Sequence, residues 1–352
     1  MRTELSSLDL YFLLKEFAIL NNSRINKVYQ KNSNFLFQLH APDEGKKFLR
    51  ILLPNFIFLV DEKENYGDSE KFVLALRKHL QNRKILDITQ KEFERILDIR
   101  LDKYRLIIEL FKPGNLILCE DGKIVMAMQY KAFSSRLIRP GIQYVYPKKE
   151  YNFVSINETE LTKLLETSDK DSVVITLAVN LGLGGFYAEE LCIRAKIDKK
   201  KLSLDKPEIR RLYNEIEKIR RAEIDTCIYY DNNEISDITP FEIIKYKGMR
   251  FEKALSFNHA LSIYLSQQNK ESNTDDVGTR KLESIKKNQE AQILGFEKSY
   301  LENKKKGEVI YENYMAVSKI LNELKKTEYS DISKKKYVKE FNRKNKKVVV
   351  EI

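Results

Sequence analysis

A chain of 352 residues, 42% hydrophobic and 33% charged, has room for two or three domains with real cores and a heavily solvated surface. Lys plus Arg outnumber Asp plus Glu by 63 to 52, and a formal charge of +11 favours a polyanionic partner, nucleic acid or an anionic membrane, over a basic protein. Three cysteines (Cys119, Cys192, Cys227) with no CxxC pair exclude a zinc ribbon and a disulfide framework, and His40, His79 and His259 lack metal-ligand spacing, so no metal or cofactor is expected.

Met1-Arg2-Thr3-Glu4 opens no apolar leader, and no run approaches the roughly 20 apolar residues that span a bilayer. A soluble, cytoplasmic protein without a membrane partner is therefore expected. In chain order, Leu5 to Asn21 reads as a helix with Ser6 as N-cap and Asp9 completing a capping box. Short alternating runs then give strands over 25–29, 35–39, 47–53 and 55–60. A helix over 68–80 turns Phe72, Leu76 and Leu80 inward. Strands follow over 84–89, 95–100 and 104–110, and a hairpin over 115–128 turns at Glu120-Asp121-Gly122. Helices are expected over 158–166, 173–196 (broken by glycines) and 206–224. A second hairpin turns at Asn232-Asn233, 241–245 could pair with it, and 251–267 reads as a helix.

Beyond Asp275 the pattern changes to one long helix ending near Lys326. Ile310, Tyr314, Val317, Leu321 and Leu324 follow a 4-3-4-3 heptad seam, which predicts a coiled-coil arm about 75 Å long at roughly 1.5 Å per residue. Between 270 and 352, 20 Lys plus Arg face 14 Asp plus Glu, so this segment carries about half of the +11. Residues 346–352 read as a strand with no partner in view, the start of a truncated or continuing segment.

Two clusters could carry chemistry. Leu181-Gly182-Leu183-Gly184-Gly185 joins two helical patterns, so its glycines could expose amides at a helix start to a phosphate. The same spacing also describes an ordinary helix C-cap and turn. Asp9, Glu94 and Arg95 could form a carboxylate–guanidinium site for RNA, although Asp9 also suits the capping box and Glu94-Arg95 a surface ion pair. Arg77, Lys78 and His79 form a basic strip that could neutralise phosphates or serve solubility alone.

Several runs together resemble the NFACT family: Leu76 to Leu80, Phe93 to Leu97, Glu109 to Leu118, Arg139 to Tyr144, the glycine hairpin Leu181 to Leu191, Ser256 to Leu261 and Ile310 to Tyr314. The resemblance implies an α+β fold. A formamidopyrimidine-glycosylase-like antiparallel domain (1–170, completed by 226–270) would hold a helix-hairpin-helix domain (171–225), and a coiled-coil arm (271–345) would follow. It implies an RNA-binding role in ribosome-associated quality control: binding the stalled large ribosomal subunit through rRNA and peptidyl-tRNA, and recruiting charged tRNA for C-terminal tailing of the nascent chain. It assigns tRNA binding to an aspartate in the first helix and an Asp-Arg pair further on. Asp9 and Arg95 match these, and Glu94 stands where the family has Asp. On this resemblance the family's C-terminal domain is expected to be missing from the sequence, which ends at Ile352. Glycosylases of this type use an N-terminal proline and a four-cysteine zinc finger; Arg2 stands at that position and the cysteines are absent, so no enzyme is expected. A glycosylase-like enzyme and a coiled-coil adaptor remain the alternatives, and self-association of the arm is open.

Overall fold

The computed structural model describes residues 2–63, 66, 70–133, 136–271, 293, 297, 300–326, 337–342 and 347–350, and the chain divides into two units, 1–267 and 268–352. In the first unit two cores form about α1 (Ser7–Glu16). The Ser6 hydroxyl accepts from Asp9 N at 3.1 Å and the Asp9 carboxylate accepts from Ser6 N at 2.8 Å, a reciprocal cap that satisfies two otherwise orphaned amides. Helical periodicity then sends Leu10 and Leu13 into the first core, and Leu8 and Phe12 into the second.

Two serial antiparallel sheets build the first core. One is β1 (Arg24–Lys31), β2 (Asn34–Ala41), β3 (Gly45–Leu52) and β4 (Phe56–Val60), hydrogen-bonded in that order. The other is β5 (Ile85–Gln90), β6 (Ile96–Leu101), β7 (Tyr104–Glu109), β8 (Asn115–Glu120) and β9 (Lys123–Ala127). Strand alternation puts Phe35, Phe37 and Leu39 on one face of β2, all in this core. α2 (Lys71–Leu80) adds Val73, Leu76 and Leu80. The β8–β9 turn holds Asp121 and Gly122 at φ +49° and +77°, the left-handed pair a tight hairpin requires. A short pair, β10 (Lys131–Ala132) and β11 (Leu137–Ile138), follows.

The second core is built by α3 (Glu158–Thr167), α4 (Val173–Val179), α5 (Gly184–Arg194) and α6 (Lys206–Arg221). It shares Cys227 and Tyr229 with a sheet ordered β13-β12-β14, comprising β12 (Cys227–Asp231), β13 (Glu234–Thr239) and β14 (Arg250–Lys253). The expected third strand at 241–245 is replaced by a single 3-10 turn at Ile244–Tyr246, where the buried Glu190 carboxylate accepts from Ile244 N at 2.9 Å and Lys245 N at 3.0 Å. The helix expected from Phe251 starts later, as α7 (Phe257–Glu271). Glu16 decides this start: its carboxylate accepts from Phe257 N and Asn258 N, both at 2.7 Å. Asn258 then clamps β4, accepting from Leu59 N at 2.6 Å.

In the second unit, residues 300–312 are helical, and α8 (Tyr314–Lys326) follows. Along the expected seam, Ile310, Tyr314 and Leu321 are exposed. Most of the predicted arm before residue 300 lies outside the described residues. The final strand does have a partner: β15 (Val338–Asn342) and β16 (Lys347–Val350) pair antiparallel.

All three thiols are buried, and burial pushes Cys119 up to about 12 and Cys192 up to about 11. A buried thiol with a raised pKa supplies little nucleophilic thiolate. In native protein at pH 8 a disulfide reagent should therefore leave all three unlabelled, and urea should expose all three. Fast native labelling of Cys119 or Cys192 would contradict this packing.

Candidate nucleic-acid interface

The β5–β6 turn carries two of the expected site residues, and its backbone is strained. Glu92 and Phe93 have φ of +49° and +53°, a region bulky residues seldom adopt and which costs about 1–3 kcal/mol each. Phe93 offsets this strain by burial: its ring stacks on Phe153 at 4.8 Å and 28°. Gln90 ties the turn to α1, donating from Nε2 to the carbonyls of Ser7 and Glu94, both at 2.9 Å. Glu94 and Arg95 are thereby held beside the start of α1.

Facing them is the turn between α4 and α5. Gly182 and Gly184 have φ of +76° and +72°, conformations glycine adopts without a steric cost. The Lys149 ammonium occupies the space a Gly182 side chain would need. No side chain caps the first amides of α5. Gly184 and Gly185 are exposed, with no atom close to where a side chain would stand.

These two turns and the start of α1 enclose an open cleft of about 320 Å³, lined by Ser6 and Ser7, Glu94 and Arg95, Lys149 and the stretch around Gly182 and Gly184. Each cation in it is matched to a carboxylate. Arg95 Nη1 contacts Glu4 Oε2 at 2.6 Å and donates to Leu5 O at 3.3 Å; Lys149 Nζ meets Glu94 Oε1 at 2.8 Å. Two cations against two carboxylates cancel, and the amides at the start of α5, which no side chain caps, are what the cleft offers an anion.

Asp9 lies behind this cleft, only 1% exposed. Its carboxylate accepts from Tyr187 Oη at 2.6 Å and from Ser6 Oγ at 2.8 Å, and it pairs with Arg2. Arg2 Nε also donates to Asp237 Oδ1 at 2.8 Å, and Tyr246 donates to the other Asp237 oxygen at 2.8 Å. Burial opposes the charge on Arg2, but Asp9 and then Asp237 outweigh it and hold the guanidinium pKa well above its ordinary value. Burial, and next the Asp9 charge, push the Tyr187 phenol up, so it stays a donor. The direct tRNA contact expected of Asp9 is corrected by this placement: a carboxylate with no surface and four partners can only position its neighbours.

The basic strip lies apart from this cleft. Arg77 donates from Nε to Val28 O at 2.6 Å and covers the Tyr29 ring at 5.5 Å, and His79 Nδ1 lies 3.1 Å from Tyr104 Oη. Both side chains are half-buried, Lys78 alone is exposed, and none of the three lines the cleft. Sequence reasoning missed Arg2, Glu4, Lys149, Tyr187 and Asp237. No local signal marks them, since each acquires its partner from a distant segment.

Sheets wrapped about one capped helix, with a helical lobe closing a cation-bearing cleft, define an α+β fold. The family model described as NFACT N-terminal and middle domains matches residues 6–352, and the chain belongs to the NFACT family. Among curated relatives it is 28% identical over 355 residues to the archaeal Rqc2 homolog aRqcH of Methanocaldococcus jannaschii, covering 92% of this chain and 52% of that protein. It is 22% identical to the ribosome quality control complex subunit NEMF of Homo sapiens, covering 91% of this chain and 34% of NEMF. The chain thus spans about half the length of the archaeal relative and about a third of the human one. In fold it is similar to the N-terminal part of the fibronectin/fibrinogen-binding protein of Streptococcus suis, with a TM-score of 0.60 at 20% identity over 75% of this chain and 100% of that one. The fibrinogen binding protein of Staphylococcus aureus gives a TM-score of 0.60 at 18% identity, over 73% and 97%.

Removing one partner of a buried ion pair strands the other charge, at about 3–5 kcal/mol. Asp9→Ala should therefore lower the unfolding free energy by about that much in urea titrations, whereas Arg95→Ala, which breaks a half-exposed pair, should lower it by less than about 1 kcal/mol. Equal losses would refute the division between a buried hub and an exchangeable rim.

Proposed function

We propose that this chain is the RNA-binding part of a cytoplasmic ribosome-associated quality control factor. It would engage the stalled large ribosomal subunit, holding rRNA and peptidyl-tRNA, and recruit a further tRNA for C-terminal tailing of the nascent chain. One observation carries the reading: a single cleft unites Glu94 and Arg95 with Gly182 and Gly184. The names of its curated relatives, all longer proteins, support the setting.

In this proposal the two turns act as a phosphate grip. The α4–α5 turn works as a helix-hairpin-helix, offering the uncapped amides of α5 to a phosphodiester. Arg95 is held in reserve by Glu4, which is half open to solvent. Such a pair is worth about 0–1 kcal/mol, so a phosphate can displace Glu4 at little cost. Lys149 is released from Glu94 in the same way. The glycosylase-like body carries the grip and the coiled-coil segment extends along the subunit. The chain works as a scaffold with no chemistry or cofactor of its own.

Losing one charge-assisted contact costs about 1.5–3 kcal/mol. Arg95→Ala should therefore weaken tRNA binding by about tenfold to a hundredfold in fluorescence anisotropy. Glu4→Gln, which frees Arg95, should tighten binding by about twofold to fivefold. In gradient sedimentation of stalled ribosomes, the wild-type chain should travel with the large subunit and Arg95→Ala should not. No shift of the wild type, or Glu4→Gln weakening the binding, would sink the proposal.

A further inference from the structure

On the first sheet, backbone pairing lines up basic side chains that sequence order keeps apart. Lys84 bridges Arg24, Arg24 pairs with His40, and His40 pairs with Lys46. Directly paired residues share a face, so the four side chains form one row across four neighbouring backbone segments. At about 4.8 Å per step the row runs for about 14 Å. Arg24, His40 and Lys46 are exposed and Lys84 is half-buried. None of the four is paired with a carboxylate among the described residues, and the nearby Glu44 is committed to Lys47 at 2.9 Å.

Like charges set opposite one another destabilise a sheet, and Lys84 stands opposite Arg24, so this part of the row costs stability unless an anion neutralises it. The neighbouring outer face continues the pattern. Lys27, Lys63 and Arg77 lie over the Tyr29 ring at 5.3, 4.2 and 5.5 Å, and Lys46 lies over Phe48 at 4.9 Å. The aromatic faces are thus already covered by cations. With Phe48 also buried, neither ring offers a base a stacking surface among the described residues, and this points to backbone contact.

We propose that the outer face of β1–β3, along the row Lys84–Arg24–His40–Lys46, is a second RNA site that takes the phosphodiester backbone of a folded RNA without reading its bases. The inference rests on the view that this chain binds RNA, but it concerns a surface that none of the cleft residues contributes to. Each phosphate contact should add about 0.7–0.9 to the slope of log affinity against log salt.

The test compares the whole chain with the double variant Arg24→Glu/Lys46→Glu and, separately, with Arg95→Ala, using unfractionated tRNA as probe over a salt series. The double variant should reduce the slope by about 1.4–1.8 while its thermal midpoint stays level, because the repulsion relieved at Lys84 offsets the lost bond from Arg24 Nη1 to Asn82 O. An unchanged slope in the double variant, with Arg95→Ala still weakening binding, would overturn the second site and leave the cleft standing. A reduced slope in the double variant with no effect of Arg95→Ala would do the reverse. A fall in thermal midpoint would mark the cations as structural. Lost binding to a polyglutamate peptide with tRNA affinity unchanged would hand the face to an acidic protein. Either of these last two outcomes would also overturn the proposal.

Discussion

Arg2 and Asp9 form a charged pair from which water is excluded, and much of the first unit is arranged to make that tolerable. A buried guanidinium needs acceptors, and here Asp9 faces Nη1 while Asp237 takes Nε. Asp237 sits on β13 and Tyr187 on α5, so satisfying one ion pair brings the chain's first residues, the sheet beside the second core and the helical lobe to a common point. The main-chain carbonyl of Arg2 also accepts from Tyr264 Oη of α7 at 2.8 Å, which extends the same constraint to the helix that closes the first core. Buried pairs contribute little net stability in themselves, but they penalise any arrangement that leaves a charge unmatched. Here the penalty selects one placement of α1, and the cleft forms at the start of that helix.

The cleft follows the opposite rule. Its ion pairs stay partly in water, where each is worth little and can be exchanged. Strain is concentrated in the same place: Phe93 is held in a left-handed conformation because its ring is locked against Phe153, and the turn it fixes presents Glu94 and Arg95. Rigid backbone with exchangeable side-chain partners is what a phosphate site requires, since the geometry is set beforehand and only weak contacts are given up.

Much of the fold was legible because it is local. Alternating runs become strands where one face meets the core, and Asp121-Gly122 and Asn232-Asn233 mark hairpins because both turn positions need positive φ. Legibility failed where a distant residue decided the outcome. Glu16 sets the start of α7 from 241 residues away, and β12 recruits 250–253 as a strand although that segment reads as the beginning of a helix. The candidate site divides in the same way. Arg95 and the glycines of the hairpin were visible as residue types suited to phosphate, and Glu94 as a carboxylate beside Arg95. The side chains that modulate them, Glu4 and Lys149, carry no distinguishing pattern.

The sequence by itself determined the α+β class, most of the strands and helices of the first 240 residues, the capping box at Ser6 and Asp9, and the family to which the chain belongs. Periodicity, capping and turn chemistry act over a few residues, so they survive in one dimension. Only the tertiary structure decided what each charge does. Asp9 and Arg95 are both single charged residues beside short helical or strand patterns, and nothing local separates them. Burial of one and partial solvation of the other does, because the cost of an ion depends on the water around it. Asp9 became a buried hub, Arg77 and His79 gained partners within the fold away from the cleft, and the glycine hairpin became one wall of a cleft whose other wall lies about 90 residues earlier in the chain.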